Sequence, residues 1–303
     1  MPAFTVLTPT YNRAHTLPAL AASLLAQEDQ DYEWLLADDG SSDGTEALAR
    51  GLEPRFNGRL RYYRWENGGK HRALNRAAPL ARGAFTLIVD SDDTLPPRSL
   101  ASYRPYLAQA AGPGMAGVMA LRQDPEGRVI GEELPLTASP ADTAALAYRY
   151  GVRGDKAELF RTEVLVRYPF PEFEGERFLT EAVAWNRMAR DGLKFVLSNE
   201  RAYTCEYLAG GLSDRSLELR LKNPRGNLLY YRECLELPFP ARLLWREGIN
   251  YARFSWHEGR PLGALAGLSP KAAALAALCL PAGAAAAALD RARLAAKRAQ
   301  KGN

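Results

Sequence analysis

The amino-acid sequence predicts an α/β protein, with a central, mostly parallel sheet flanked by helices and a mainly helical C-terminal region. Two observations lead to this prediction. From residue 4 to residue 90, short β-rich runs alternate with helix-like segments of about ten residues, which is typical of βαβ units. Beyond the glycine pair at 210–211, the sequence is mainly helix-forming. A chain of this length is expected to form one large domain or two smaller ones.

The elements can be assigned in order along the chain. Strands are predicted over 4–8, 32–37, 60–65 and 85–90, and helices over 16–25, 46–50 and 71–80. Glycine and proline clusters make 112–178 less regular. Further along, one helix and two strands are predicted over 180–190, 194–198 and 202–207. Thr180 suits the N-cap of that helix, and Gly192 suits its end.

Composition restricts the class of protein. The 303 residues are 47% apolar and 24% charged, as in ordinary soluble globular proteins. A net charge of +4 is too small to indicate nucleic-acid binding, so we expect no nucleic-acid partner. Three widely spaced cysteines form neither a disulfide framework nor a CxxC metal site. The first residues lack the basic and apolar segments of a secretion signal, so we expect a cytoplasmic protein.

Three predicted strands end in polar loops, over 8–12, 38–43 and 90–93. The carboxyl ends of parallel strands meet at one edge of a sheet, where α/β proteins bind ligands. We therefore expect these loops to form the functional site. The sequence contains no P-loop, no GxGxxG after the first strand and no GxSxG elbow, which disfavours ATPase, dehydrogenase and α/β-hydrolase activities.

The third loop contains two aspartates, Asp90 and Asp92, separated by one residue. Period-2 spacing places both carboxylates on the same side of an extended segment. Mg²⁺ and Mn²⁺ prefer oxygen ligands, and Mg²⁺ is commonly held by one or two carboxylates plus substrate phosphates. The pair therefore suits a metal–diphosphate site. The alternative interpretation is an acidic turn that caps the following helix.

The other loops offer contacts to a nucleotide. An aspartate at the end of the second strand can accept hydrogen bonds from ribose hydroxyls, and it can also belong to a plain Asp-Gly turn. Tyr11 in the first loop offers a face on which a base can stack. The segment 67–71 places a glycine turn before a helix N-terminus, which suits anions, although Lys70 and Arg72 can equally be surface charges.

Four blocks of sequence, in this order, resemble family 2 glycosyltransferases of the GT-A fold: TVLTPTYNRAHTL, WLLADDGSSDGT, GKHRALNRA and IVDSDD. The resemblance implies a GT-A catalytic domain over 1–215 and leaves 216–303 as a helical C-terminal region. It also implies inverting transfer of a sugar from a nucleotide-diphosphate donor, with UDP-sugars expected, to a hydroxyl acceptor. A divalent metal, Mn²⁺ or Mg²⁺, would bridge the DxD aspartates and the diphosphate.

The resemblance also implies roles for single positions. Nucleotide-sugar contacts are implied for Thr8, Pro9, Tyr11, Asp39, Lys70, Asp90 and Arg215. Asp90 and Asp92 match the ribose and metal positions of the family, and both are expected at the metal. Arg215 ends the segment 207–215, which resembles the mobile loop that closes over the diphosphate and can also be a plain surface turn.

The general base of the family usually lies in a Glu-Asp pair at a helix start. Here only Glu181 is acidic, because Ala182 follows it. A base must take the proton of the acceptor hydroxyl as that hydroxyl attacks the anomeric carbon. We expect Glu181 to fill this catalytic role; the alternative is stabilisation of the first helical turn by up to about 1 kcal/mol. Glu174 and Glu176 are the next candidates.

The C-terminal segment 272–289 has 18 residues without a charge. Pro281 and Gly283 interrupt it, so we expect a helical hairpin or an interfacial helix instead of a membrane span. Five basic residues follow between 291 and 301 and favour an anionic cytoplasmic leaflet. We therefore expect 272–303 to associate with the inner face of the cell membrane. An Ala-rich helix packed on the catalytic domain is the alternative.

Together these expectations describe an inverting, metal-dependent glycosyltransferase that acts on a glycan or lipid-linked acceptor in cell-surface polysaccharide or glycolipid synthesis. Two alternatives stay open. The incomplete Glu-Asp pair also suits a non-catalytic protein that binds nucleotide-sugars or serves as a scaffold. A sugar nucleotidyltransferase uses a similar sheet and metal-binding acids, but its Gly-rich loop is missing from 9–13.

Overall fold

The computed structural model describes residues 1–205 and 216–301. Its strands are β1 (Phe4–Thr10), β2 (Tyr32–Asp38), β3 (Leu60–Arg64), β4 (Phe85–Ile88), β5 (Met115–Gln123), β6 (Lys156–Arg161) and β7 (Lys194–Thr204). Within the described residues these seven strands form a single sheet, in the order β3-β2-β1-β4-β6-β5-β7.

Helices alternate with the first four strands and dominate the described chain after β7. The α-helices are α1 (Leu17–Leu25), α2 (Thr45–Leu52), α3 (Lys70–Ala77), α4 (Ser99–Tyr103), α5 (Leu107–Ala110), α6 (Thr143–Tyr148), α7 (Thr162–Arg167), α8 (Ala182–Arg190), α9 (Ser216–Lys222), α10 (Pro224–Leu235), α11 (Ala241–His257) and α12 (Pro270–Lys301). The alternation of β1 to β4 with α1 to α3 is the βαβ pattern that the sequence predicts.

The strand order creates a switch point at β1. This strand lies between β2 and β4, and all three run parallel, as does β3 beside β2. β6 is antiparallel to both β4 and β5, while β7 is parallel to β5. From β1 the chain adds β2 and β3 on one side and β4 on the other. Such a reversal opens a crevice at the carboxyl ends of the strands, where ligands bind.

The centre of the sheet is fully buried. Every residue of β1 and of β2 is buried, as expected for central strands that helices cover on both faces. Trp34 in β2 packs against Phe56 with ring centroids 5.0 Å apart, and α1 buries Leu17, Leu20 and Leu24 at helical spacing. Each fully buried side chain of this size contributes about 1.5–3 kcal/mol. The strand ends that carry the polar loops therefore rest on a rigid core.

The chain divides into two compact units. The first comprises residues 1–170 and 187–207 and contains the sheet. The second combines residues 171–186 with the chain from 208 onward, and its described elements are helices. The hydrophobic core of the second unit includes Tyr231, Leu235, Tyr251, Phe254, Ala272 and Ala276. The predicted domain boundary at 215 falls in the segment 206–215, outside the described residues.

α12 is one continuous helix, so the hairpin expected from Pro281 and Gly283 is wrong. Gly283 permits a close approach to α11, because a Cβ added to it would lie 2.4 Å from the Cβ of Ala252. Further along the same helix pair, Asp290 accepts hydrogen bonds from the Arg253 guanidinium. These contacts between α11 and α12 keep the helix continuous at Pro281. A proline inside an isolated helix destabilises it by about 3 kcal/mol.

The predicted α/β class, the mostly parallel sheet and the helical C-terminal region are confirmed, but one local prediction is wrong and two strands were not predicted. The less regular segment 112–178 contains these two strands, β5 and β6. β5 is rich in Ala, Gly and Met, and its pairing with strands on both sides overrides their low β propensity. The two strands expected over 194–198 and 202–207 are the single strand β7, because a register shift opposite β5 accommodates the polar residues 198–200.

Candidate functional site

The loops after β1 and β2 are joined at the carboxyl edge of the sheet. The backbone N–H of Asn12 donates to Ser41 Oγ, and the N–H of Ser42 donates to Asn12 Oδ1, both at 2.8 Å. Asn12 adopts a φ of 54°, which asparagine tolerates better than most residues. These bonds hold the first loop against the second, so the structure brings these strand-end loops together as predicted.

Asp90 and Asp92 lie in the turn after β4, and each carboxylate faces a cation. Lys70 Nζ lies 2.5 Å from Asp90 Oδ1, and Arg13 Nη2 lies 3.5 Å from Asp92 Oδ2. The four side chains are between 27% and 32% exposed, so a ligand can reach them. β4 ends at Ile88, and the N–H of residue 93 closes a turn on the Asp90 carbonyl. The pair is therefore not in the extended conformation that period-2 spacing assumes.

Electrostatics keep the Asp90 carboxyl ionised. Burial favours its neutral form, but the charges of Lys70, Arg122 and Arg13 outweigh that effect and hold its pKa below the ordinary value. A divalent cation binds the ionised form of a carboxylate, and phosphate oxygens pair with lysine and arginine. This edge of the sheet therefore offers ligands for both halves of a metal–diphosphate complex.

The buried Tyr203 of β7 fixes the acidic turn. Its hydroxyl accepts a hydrogen bond from the Asp90 N–H at 2.9 Å and donates one to Asp93 Oδ2 at 2.7 Å. The Arg122 guanidinium lies 4.2 Å from the centre of the Tyr203 ring. Burial, together with the neighbouring Asp90 charge, raises the pKa of Asp93 to about 7. Two hydrogen bonds thus hold the turn from a strand to which the sequence assigns no functional role.

Asp39, at the end of β2, uses its carboxylate within the protein. It accepts hydrogen bonds from the N–H groups of Gly68 at 2.8 Å and Gly69 at 2.7 Å, and from Asn67 Nδ2 at 3.0 Å. Burial raises its pKa, although the two backbone bonds act in the opposite direction. The carboxylate therefore shapes the glycine turn in front of α3 and so positions Lys70, the first residue of that helix. Its predicted contact with the nucleoside stays a prediction.

The residues of the first loop differ in exposure. Thr8 and Pro9 are buried in β1, and Thr8 Oγ1 accepts a hydrogen bond from the Trp34 indole at 3.0 Å. Tyr11 is 47% exposed just beyond the strand. Thr10 Oγ1 is buried and has no hydrogen-bond partner within residues 1–205 and 216–301. Tyr11 is thus available to a ligand, whereas the side chains of Thr8 and Pro9 support the strand, and their predicted nucleotide contact stays a prediction.

The donor set fits a metal that binds together with a diphosphate. In the described part of the chain, no group of three or more His, Cys, Asp or Glu side chains is placed to hold a metal alone. Mg²⁺ typically keeps several waters and binds one or two carboxylates plus substrate phosphates. Asp90 and Asp92 supply those carboxylates, and Lys70 and Arg13 supply the positive charge that phosphates require.

Glu181 belongs to the second unit and directly precedes α8. Its carbonyl accepts the N–H of Ala184 at 3.0 Å, and its side chain is half-buried. The predicted position at a helix start is confirmed, and its role as the base stays a prediction. Arg215, the predicted diphosphate contact, lies outside the described residues.

Glu176 acts as a cap for α10 in the second unit. Its buried carboxylate accepts the N–H groups of Arg225 and Gly226, each at 2.8 Å. Those are two of the N–H groups that a helix leaves without intrahelical partners at its start. Because this carboxylate is used in the cap, Glu176 is a poor candidate for the base, and the exposed Glu174 is the remaining alternative to Glu181.

The predictions from sequence give no individual role to Thr10, Arg13, Asp93, Arg122 or Tyr203, although Thr10 and Asp93 lie in loops expected to form the site. The first three lie inside or next to the recognised motifs, so their proximity to the motif residues was the available signal. Arg122 and Tyr203 lie at the ends of β5 and β7. No local pattern indicates which strands pair with these two, because that pairing depends on contacts distant in sequence.

Part of the chain matches a known family model. Residues 5–124 match the family model Glycosyl transferase family 2. The chain is 37% identical over 94 residues to a PGL/p-HBAD biosynthesis glycosyltransferase of Mycobacterium tuberculosis (strain ATCC 25177 / H37Ra). It is 32% identical over 124 residues to the GalNAc(5)-diNAcBac-PP-undecaprenol beta-1,3-glucosyltransferase of Campylobacter jejuni subsp. jejuni. These matches cover 31% and 39% of this chain, and 37% of the length of each relative.

Solved structures share the fold. S. aureus TarS 1-349 in complex with UDP-GlcNAc has a TM-score of 0.61 at 20% identity, over 94% of this chain and 81% of that chain. The mannosyltransferase PcManGT from Pyrobaculum calidifontis, in complex with GDP-Man and Mn²⁺, has a TM-score of 0.59 at 20% identity, over 95% and 88%. Identities this low concern the fold alone. Residues 5–124 are therefore similar to glycosyl transferase family 2, and the chain has the GT-A fold expected from its sequence.

Proposed function

We propose that this protein is an inverting, metal-dependent glycosyltransferase, which moves a sugar from a nucleotide-diphosphate donor to a hydroxyl group of a glycan or lipid-linked acceptor. One observation carries the proposal: an accessible carboxylate pair, each member facing a cation, lies beside the switch point of the parallel sheet. A metal–nucleoside diphosphate complex carries both signs of charge and so complements this arrangement. The match to glycosyl transferase family 2 supports the same activity.

The proposed donor is a UDP-sugar. TarS was solved with UDP-GlcNAc and PcManGT with GDP-Man and Mn²⁺, which supports a nucleotide-diphosphosugar and a divalent metal for this chain. The exposed ring of Tyr11 is available to stack on the base, and Asp39, Thr8 and Pro9 lie at the strand ends beneath the nucleoside in this proposal. Arg215 is proposed as a further diphosphate contact.

In this proposal, the acidic residues at the sheet edge bind the metal and the basic residues bind the phosphates. Asp90 and Asp92 would hold the divalent ion. When bound, that ion supplies Lewis-acid stabilisation of the charge that develops on the departing nucleoside diphosphate. Lys70 and Arg13 would neutralise the phosphate oxygens, since both already lie at ion-pair distance from the carboxylates. Tyr203 keeps the turn that carries both aspartates in place.

Glu181 is the proposed general base. In an inverting reaction the acceptor hydroxyl attacks the anomeric carbon from the face opposite the leaving diphosphate, and a carboxylate takes the hydroxyl proton. Glu181 is the acidic residue at the start of α8; the residue is half-buried, and its Oε1 atom is buried. Glu174, which is exposed, is the alternative.

We further propose that the protein works at the inner face of the cell membrane, in polysaccharide or glycolipid synthesis. The name of the Campylobacter relative states an undecaprenol-linked substrate. α12 exposes Leu278 and Leu289, which are three helical turns apart, and α11 exposes Trp245 and Trp256. Tryptophans and basic residues beside an apolar stripe suit a membrane interface.

The basic residues belong to the same helix. Arg291 and Arg293 are exposed directly after the apolar stripe of α12. Each basic residue close to an anionic leaflet contributes about 1 kcal/mol of attraction. Residues 270–296 are also long and apolar enough to cross a membrane, a test that helices in the cores of soluble proteins pass as well. The buried residues on the other side of α12 favour a helix that lies on the membrane surface.

The metal site provides the test of the proposed activity. Wild type should release nucleoside diphosphate from a panel of UDP- and GDP-sugars in a Mn²⁺- or Mg²⁺-dependent manner when acceptor is present. Asp92→Asn keeps the side-chain shape but removes a charged ligand, so turnover should fall at least about 100-fold. Glu126→Gln, which changes an exposed acid paired with Arg128, is the control and should leave turnover unchanged.

Each other outcome has a defined meaning. Full activity of Asp92→Asn with unchanged metal dependence would remove the DxD pair from the mechanism. Metal-dependent donor binding without turnover would favour the nucleotide-sugar-binding protein. Formation of a nucleotide-sugar from a nucleoside triphosphate and a sugar phosphate would favour the nucleotidyltransferase.

A further inference from the structure

The second unit contains a groove that the proposed mechanism does not use. It encloses about 520 Å³. Its lining comes from the segment before α8, from one side of α10, and from α11 with the connection that follows it. The lining includes Arg225, Leu228, Arg232, Tyr251, Glu258 and Arg260.

The walls of the groove are largely apolar. α10 contributes Leu228 and Leu229, α11 contributes the ring of Tyr251, and the segment before α8 contributes Phe173. The Tyr251 hydroxyl is used within the protein, because it donates to the Ala264 carbonyl. The groove therefore contains aromatic and aliphatic side chains, which suit a hydrocarbon chain.

Three arginines and one glutamate line the same groove. Arg232 donates to the Gly267 carbonyl at 2.5 Å, and Arg225 is held by the Glu174 carbonyl and lies 3.5 Å from Glu176 Oε1. Arg260 is exposed and has no side-chain partner in the described part of the chain. A guanidinium has five N–H donors in a planar fork, so the bonds to carbonyls leave donors for a further acceptor. The groove thus has an excess of positive charge beside its apolar walls.

We propose that this groove binds an amphipathic phosphate, namely the phosphate or diphosphate of a lipid-linked acceptor together with the first part of its hydrocarbon chain. This inference rests on the proposed glycosyltransferase function, for which it names the chemical class of the acceptor. Arginine forks recognise phosphate oxygens through paired hydrogen bonds, and the apolar walls bury the adjoining chain. A simple anion would use only the arginines, and an uncharged lipid would use only the walls.

The test uses decyl phosphate as the probe, with decanol and inorganic phosphate as its two halves. Binding to the full chain is measured by titration calorimetry, at probe concentrations below micelle formation. Decyl phosphate should bind at least about tenfold more tightly than either half. Arg260→Gln, which removes a charge-assisted donor, should weaken decyl phosphate binding about tenfold or more, without changing UDP affinity.

Two further variants make the test specific. Gly263 lines the groove, and a Cβ added there would have Arg260 Cβ, at 3.8 Å, as its neighbour within 4 Å. Gly263→Phe should therefore fill the groove without a backbone clash at Cβ and abolish decyl phosphate binding. Arg242→Gln changes an exposed arginine of α11 that does not line the groove, and it should leave binding unchanged. Equal effects of Arg242→Gln and Arg260→Gln, or equal affinity for decyl phosphate and inorganic phosphate, would overturn the proposal.

The outcome separates this inference from the proposed function and from membrane attachment. Sugar transfer to a lipid-linked acceptor that proceeds normally in Gly263→Phe would overturn the groove while leaving the enzyme activity intact. Specific binding of decyl phosphate by a chain that transfers no sugar would support the groove and contradict the enzyme. The Gly263→Phe variant should still bind phosphatidylglycerol vesicles in a flotation assay. Loss of vesicle binding would mean that the groove binds membrane headgroups, which also contradicts the proposal.

Discussion

Asp90 and Asp92 are two residues apart, yet their surroundings differ. Asp90 is 2.5 Å from Lys70, and its backbone N–H is bonded to Tyr203. Asp92 has a looser contact, at 3.5 Å, with Arg13. Partly exposed ion pairs of the second kind contribute at most about 1 kcal/mol, so an incoming cation displaces Arg13 at little cost. Asp92 is thus the less firmly paired of the two proposed metal ligands, and Asp90 belongs to the fixed part of the turn.

Tyr203 acts on the site through that turn, and Tyr203→Phe tests this positioning role. The change removes both hydrogen bonds of the hydroxyl, so the turn should loosen and the KM for Mn²⁺ and for donor should rise about three- to tenfold, with a smaller change in kcat. The matched control is Tyr103→Phe, since Tyr103 is also buried in the first unit and donates to the Ala157 carbonyl at 3.2 Å, away from the acidic turn. Both variants are compared by metal titration of turnover and by melting temperature. A purely structural tyrosine would lower the melting temperature of both and leave both KM values unchanged.

Glu181→Gln tests the proposed base. The amide keeps the size of the side chain but cannot accept a proton, so kcat should fall by about 10²–10⁴-fold. The donor Kd should not change, because the base acts on the acceptor hydroxyl. Glu218→Gln, which changes an exposed acid of the same unit paired with Lys222, serves as the control. Steady-state kinetics and a melting curve are measured for both. Turnover within a few-fold of wild type together with a lower melting temperature would assign Glu181 to helix stabilisation alone.

At the scale of elements, Asp290 connects α12 to α11. Its carboxylate is 2% exposed, is bonded to Arg253 and lies 3.0 Å from His257 Nε2. Burial alone would raise its pKa, but Arg253 and His257 hold it below the ordinary value of 3.8. Because the folded pKa is lower than the unfolded one, the ionised carboxylate stabilises the protein above about pH 4. That stabilisation is lost as the pH falls through the folded pKa.

Asp290→Asn measures this contribution. It leaves the Arg253 charge without its buried counter-charge, so the free energy of unfolding at pH 7 should fall by about 3 kcal/mol. The variant should also lose less stability than wild type between pH 4 and pH 2, as followed by denaturant titration. Asp124→Asn, in an exposed pair with Arg128, is the comparison and should cost under about 1 kcal/mol. Equal losses in the two variants would show that burial of the α11–α12 pair adds nothing.

At the scale of the whole molecule, the two sides of α12 have different surroundings. Ala272, Ala276, Cys279 and Ala287 are buried in the second unit, whereas Leu278 and Leu289 are 68% and 60% exposed. Removal of the whole helix would therefore expose the core of the second unit as well as the apolar stripe. Substitutions on the exposed side separate the two roles.

The double variant Leu278→Gln, Leu289→Gln should lower binding to phosphatidylglycerol vesicles about tenfold or more. Each leucine loses about 1.5–3 kcal/mol of burial in the membrane interface. The control is Leu136→Gln, an apolar residue of the first unit that is 49% exposed. Vesicle sedimentation measures the effect, and donor affinity should stay unchanged in all variants. Unchanged sedimentation of the double variant would contradict membrane attachment through this stripe.

The sequence by itself determined the α/β class, the positions of the first four strands along the chain, and the acidic motifs that follow two of these strands. These features are local: apolar runs of strand length, helical spacing between them and turn residues at the boundaries are all visible within about ten neighbouring residues. The same local signals placed Glu181 at a helix start and identified the resemblance to glycosyl transferase family 2.

Only the tertiary structure decided which residues surround those motifs. Tyr203 and Arg122 reach the turn at Asp90 because β7 pairs with β5 at the far side of the sheet, and such pairing depends on contacts that are distant in sequence. The same holds for α12, where the fit of Gly283 against α11 outweighs the local tendency of Pro281 to end the helix. Local propensities differ by about 1 kcal/mol per residue in most cases, whereas tertiary packing contributes several kcal/mol at each site, so packing decides wherever the two disagree.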